Sequence, residues 1–264
     1  MLKTIMAGVL LATPALALDL DRVPEQGMLI RGKVSPGTKV TLDGGPLTVS
    51  PAGDFVFGIG RDAKGSVTLK AGAETKRYEI KTRSFKIDRV DGLPQDKVTP
   101  DPSVTERITA EAAKIRAARE KESAQTGFAQ AWQWPAPGRI SGVYGSQRVL
   151  NGEPRTPHYG TDVAAPTGTP ALSPVDGTIV LAEADLFFTG GTVMIDHGQG
   201  VQSVFAHLST VDVQVGDVVK RGQSVGKIGM TGRATGPHLH WGVYWRRTPV
   251  DPAGLVPAEP PKLK

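Results

Sequence analysis

The chain has 264 residues, 39% of them hydrophobic and 22% charged, with 32 glycines, 21 prolines and no cysteine. That length allows one large domain or two modest ones, and the Gly and Pro content favours strands and turns over helix bundles. The formal net charge of +5 suits a polyanionic surface such as a cell wall or membrane; it is too small and dispersed for nucleic acid, and no recognition-helix or zinc-finger pattern accompanies it. Without cysteine there is no disulfide framework and no acceptor for a lipoprotein anchor, and any metal site must use His, Asp or Glu.

The first segment, MLKTIMAGVLLATPALALD, has one Lys, an apolar run and then Ala15-Leu16-Ala17. This is the small-x-small pattern of a signal peptide, and the run is too short for a stable membrane anchor. We expect an exported, periplasmic protein cut after Ala17, with no integral membrane segment in the mature chain. Residues 18–88 read as a small β-sandwich-like domain. Alternation shows in KVTLD (39–43), DFVFGIG (54–60), SVTLKA (66–71) and KRYEIKT (76–82), with Gly, Pro and Asp turns between. With neither histidine nor a carboxylate cluster, this part is expected to dock or to act as a spacer.

A linker with a helix follows, over 89–134. It opens on the Pro-rich DGLPQDKVTPDPSV. Ser103-x-x-Glu106 matches a capping box. Val104, Ile108, Ala112 and Ile115 predict a thin apolar stripe on a charged helix running to about Gln125, weakly packed on a neighbour. The prolines of QAWQWPAPGR (130–139) end it. Trp132 and Trp134 could bind a sugar face, but aromatics at a boundary more often pack into it. From Gly138 to about Val256 the pattern is again β, and all five histidines lie between 158 and 240.

Three fragments carry polar groups that packing does not require: PHYGTD with His158 and Asp162, VFAHLS with His207, and GPHLHWGV with His238 and His240. On a strand, His238 and His240 share one face. Imidazole and carboxylate suit borderline divalent metals, and a catalytic zinc site wants three protein ligands and an open position. His158, Asp162 and one histidine of the pair meet that need, with the chain folding back at Gly160. The remaining histidines could move a proton or hydrogen-bond an oxyanion. His197, in the Gly-flanked turn IDHGQG, reads as structural.

In order and spacing, PHYGTD, FAHLS and TGPHLHWGV resemble the H-x-x-x-D, (Y/F)-x-H-L and H-x-H motifs of the lysostaphin/LytM-type zinc metallopeptidases. The resemblance covers about 135–256. It implies a C-terminal antiparallel β-sheet peptidase domain (135–257) with a binding groove, followed by a flexible tail (258–264). It further implies one zinc held by His158, Asp162 and His240, with His238 as general base and acid. His207 would stabilise developing charge or orient the water. The implied activity is hydrolysis of peptide bonds in peptidoglycan stems or cross-links, and for a Gram-negative host D-alanyl–diaminopimelate bonds.

Some relatives of this kind lack zinc ligands and activate amidases; no motif position is substituted here. The resemblance leaves open a site occluded by the helix (101–125) or by RVLNGEPR (148–155). It also leaves open protein regulators. Iron oxygenases use two histidines and a carboxylate, but usually spaced His-x-Asp. SPVDGTIV and VQVGDVVKRGQSVGKIG resemble a biotinyl or lipoyl carrier hammerhead, which lacks a use for the histidines.

Overall fold

The computed structural model describes residues 18–91 and 101–263. The expected signal segment and most of the Pro-rich connector lie outside the described residues. No helix among the described residues is long and apolar enough to cross a membrane.

The protein is mainly β. Its N-terminal part forms two small antiparallel sheets. One is ordered β1 (Asp19–Leu20), β2 (Leu29–Lys33) and β5 (Asp54–Gly58). The other is ordered β4 (Gly45–Leu47), β3 (Val40–Leu42), β6 (Ser66–Ala71) and β7 (Glu74–Glu79). Strand alternation splits the duties of β2 and β5. Ile30, Phe55 and Phe57 meet Val40, Val67 and Leu69 between the two small sheets. Leu29 and Val56, on the other face, join the apolar cluster of the C-terminal sheet. The expected docking unit is therefore fused to its neighbour through a shared core. Arg83 adds an ion pair across the same junction, Nη2 lying 2.8 Å from Oδ2 of the buried Asp251.

Residue 88, where the small domain was expected to close, falls inside β8 (Ile87–Val90). This strand pairs in parallel with β10 (Gln147–Leu150), which pairs antiparallel with β11 (Glu153–Pro154). Helix α1 (Thr105–Arg119) is shorter than expected and lacks the capping box. Asp101 instead caps a preceding turn of 3-10 helix by accepting from the Ser103 N–H. Ala112 is exposed, and the packed stripe runs through Ile115 and Ala118 onto Val180, Leu181, Leu186 and Met194. The helix ends where Gln202 Nε2 donates to the carbonyls of Ala118 (3.0 Å) and Lys121 (2.8 Å).

The C-terminal sheet is built from β9 (Arg139–Gly142), β12 (Thr161–Ala164), β13 (Pro170–Leu172), β14 (Gly177–Leu186) and β15 (Gly190–Asp196). It continues through β16 (Val201–Val211), β17 (Val218–Val219), β18 (Ser224–Ile228), β19 (His238–Trp245) and β20 (Thr248–Val250). The main order is β17-β14-β15-β16-β19-β12-β9; β18 pairs β16 and β13, and β20 folds back on β19. Trp241 is fully buried beneath β19, with Trp132 and Trp134 at centroid distances of 6.3 and 5.8 Å. Both boundary tryptophans thus brace the central strand and offer no face to a sugar. Just before β9, Gly138 N–H donates to Pro261 O at 2.9 Å.

Candidate metal centre

Register brings the motif residues together. Asp162 on β12 pairs with His240 on β19, and His240 pairs with Ala206 on β16. Paired residues share a face, so Asp162, His240 and, two residues away, His238 all point to one side of the sheet. Leu239 and Trp241 point to the core and are fully buried. By the same alternation His207, next to Ala206, should point to the core as well. It does not. One extra residue on β16 opposite β15, between Phe205 and Leu208, makes a β-bulge. His207 takes the left-handed conformation there (φ 65°). The bulge turns its ring to 4.8 Å from that of His238.

His158 precedes β12 in a loop fixed on both sides by the 143–146 segment. Its N–H donates to Ser146 O, and its own carbonyl accepts from Gly145 N–H, both at 2.8 Å. Its Nε2 lies 3.0 Å from Asp162 Oδ1 and 3.0 Å from His240 Nδ1, and those two atoms are 2.8 Å apart. Two glycines make this convergence possible. A Cβ on Gly142, opposite Asp162 in β9, would lie 2.9 Å from Asp162 Cγ. One on Gly160 would lie 2.5 Å from His240 Cε1. Sequence reasoning noted Gly160 as a fold-back point but missed Gly142, whose role depends on a strand distant in sequence.

Backbone carbonyls fix the tautomers. His158, His207 and His238 each donate Nδ1–H to a carbonyl oxygen, of Val143 (3.1 Å), Thr231 (2.8 Å) and Gly236 (2.8 Å) respectively. A neutral ring with its proton on Nδ1 keeps a lone pair on Nε2. The Nε2 lone pair of His158 then faces a carboxylate oxygen at 3.0 Å, an arrangement that calls for a cation or a proton between them. Burial opposes ionisation of Asp162, but the close approach of His158 and His240 holds its carboxyl well below the usual range. Burial, partly offset by Asp162, pushes the His240 imidazole down. Burial, reinforced by His240 and His238, lowers His207 to about 3. Two imidazoles and a carboxylate, all largely buried and convergent, fit a borderline divalent cation such as zinc.

His197 stands apart. It is fully buried, donates Nδ1–H to Asp176 O (2.9 Å) and accepts at Nε2 from Ser203 Oγ (2.8 Å). Burial lowers its pKa to about 4. It props Ser203, the neighbour of Trp241, and takes no part in the centre.

A cleft of about 180 Å³ opens beside the cluster, with Asp162, His207 and His238 in its wall and Arg148, Leu150 and Arg233 around them. Arg148 Nη2 reaches Asp162 Oδ2 at 3.4 Å. Helix α1 does not line this cleft. It is held on the β14–β15 hairpin by Lys114–Glu183 (2.9 Å) and by Glu111 accepting from Phe187 N–H (2.7 Å). The 147–154 hairpin does line it, as a wall. Neither arginine was legible as a site residue, because nothing in the local sequence sets it apart from a surface cation.

A model of peptidase family M23 matches residues 156–252. A solved chain from Pseudomonas aeruginosa assigned to peptidase M23 is 32% identical, with a TM-score of 0.66, over 87% of this chain and 93% of that one. The peptidoglycan DD-endopeptidase ShyA of Vibrio cholerae is 40% identical over 114 residues, 43% of this chain and 26% of ShyA. The cell division protein DipM of Caulobacter vibrioides is 33% identical over 166 residues, 61% of this chain and 26% of DipM. The chain thus spans about a quarter of the length of these curated relatives.

Proposed function

Because this chain belongs to peptidase family M23, we propose that it is a zinc-dependent endopeptidase that hydrolyses peptide bonds in peptidoglycan stems or cross-links, D-alanyl–diaminopimelate bonds foremost. The observation that carries this reading is the convergence of His158 Nε2, Asp162 Oδ1 and His240 Nδ1 to within 3.0 Å of one another, beside two further inward-facing imidazoles. Its similarity to a peptidoglycan DD-endopeptidase supports the substrate. The small-x-small segment at 15–17 supports export to the periplasm.

His158, Asp162 and His240 would hold one zinc. When bound, zinc supplies a Lewis acid and makes water acidic near neutral pH. His238, with its proton on Nδ1 and Nε2 4.0 Å from Asp162 Oδ1, takes the proton released by the attacking water and returns it to the leaving amine. His207 cannot donate from Nε2 while it is neutral with Nδ1–H on Thr231 O. Of its two expected roles, the geometry therefore supports orienting the water, whose O–H it accepts at Nε2, over donating to an oxyanion.

Digestion of purified sacculi by the zinc-loaded chain, with products identified by mass, tests the reading. Muropeptides cleaved at stem or cross-link bonds are expected. No release would turn the assignment toward a wall-binding regulator of amidases. His240→Ala should lose both the roughly one zinc per chain and the activity. His238→Ala should keep the metal while hydrolysis falls by about 10²–10⁴-fold; undiminished digestion by that variant overturns its role.

A further inference from the structure

We propose that Arg148 and Arg233 form a carboxylate-recognition subsite at the rim of the metal centre, selecting peptides with a free carboxylate on the carbon that bears the scissile amide nitrogen. The inference rests on the hydrolase reading above and narrows its substrate.

Both guanidinium groups line the same cleft as His207 and His238, and both are held in place. Arg148 sits on β10, registered against Asp88 of β8, and its Nη2 is 3.4 Å from the outer oxygen of Asp162. Arg233 follows the Gly232 turn. Its N–H donates to Phe188 O at 2.8 Å, and its guanidinium carbon lies 4.9 Å from the Phe188 ring centroid. An arginine stacked on an aromatic ring keeps its planar fork oriented, and this fork matches a carboxylate.

The two arginines share the cleft wall with Asp88 and Asp162, in a partly desolvated space where charges interact strongly. Burial and repulsion from Arg148 and Arg155 lower the pKa of Arg233. A carboxylate one bond from the scissile nitrogen would sit beside the metal centre and accept from the two forks. In a D-alanyl–diaminopimelate bond the diaminopimelate carbon bearing that nitrogen carries such a group.

The test uses the full zinc-loaded chain and two cross-linked stem dimers. They differ only in whether this carboxyl is free or a carboxamide. We expect wild type to favour the free acid by about tenfold or more in kcat/KM, as charge-assisted hydrogen bonds to an arginine imply. The preference should shrink as salt is raised. Arg233→Gln and Arg148→Gln should each bring the ratio toward one, and Arg233→Lys should restore part of it; a merely structural role would lower both substrates alike. Equal cleavage of the two dimers by wild type overturns the inference and leaves the hydrolase reading intact, as does a preference that survives both glutamine variants. If neither dimer is cut, calorimetric binding to the zinc-loaded chain decides. Tighter binding of the acid upholds the subsite without the hydrolase, and equal binding removes both.

Discussion

Gly142 lies opposite Asp162 in the β9–β12 pairing, where any side chain would enter the space of the carboxylate and of His158. Gly142→Ala should therefore displace the proposed metal ligands while sparing the fold. We expect zinc affinity to drop by about 10- to 100-fold, the range for disturbing groups that orient ligands, with far-UV circular dichroism unchanged. His197 makes the opposite kind of prediction. Its pKa is lowered to about 4 by burial, against about 6.5 when exposed. Between those values the unfolded chain binds a proton that the folded one refuses, so stability falls as pH drops from about 6.5 to 4. From pH 7 to 5 His197 alone should remove about 2 kcal/mol. Urea titrations at the two pH values should show this loss, and in His197→Gln it should shrink by about that amount.

At the scale of elements, the bulge in β16 and the close of α1 are set by partners far along the chain. The bulge carries His207 across to the site face; without it the strand would present His207 to the core beside Phe205 and Leu208. The helix ends on Gln202, which is buried and donates to the Ala118 carbonyl in its last turn and to the Lys121 carbonyl just beyond it. Gln202→Ala leaves those carbonyls without that donor and should destabilise the chain by about 1–3 kcal/mol in urea. Zinc binding should be unaffected, since β16 keeps its ladder to β19. A change in zinc affinity would mean that the helix bears on the metal centre after all.

At the scale of the whole molecule, the N-terminal β-sandwich and the C-terminal sheet share one apolar core. Leu29 and Val56 belong to the apolar cluster that also holds Trp132, Trp134 and Trp241. Arg61 Nε donates to Gly145 O at 2.7 Å across the same junction. We expect one calorimetric unfolding transition. Leu29→Ala, in the small sheet, should cost about 2–5 kcal/mol and shift the tryptophan fluorescence transition with it. A fluorescence transition that stays at the wild-type midpoint would show that the two parts unfold independently.

The sequence by itself determined the strand-rich fold class and pointed to five polar residues, because alternation and motif spacing are local and survive without coordinates. It fixed the shared face of His238 and His240 for the same reason, since a strand repeats every two residues. Only the tertiary structure decided the rest. His207 reaches the site through a bulge that local alternation denies. Three histidine tautomers are set by the carbonyls of Val143, Thr231 and Gly236. Gly142, Arg148 and Arg233 acquire their places from strands and turns remote in sequence, and the β-sandwich shares a core with the C-terminal sheet. In each case the deciding quantity is a hydrogen bond, a register or a close approach between residues far apart in the chain, and folding alone brings these together.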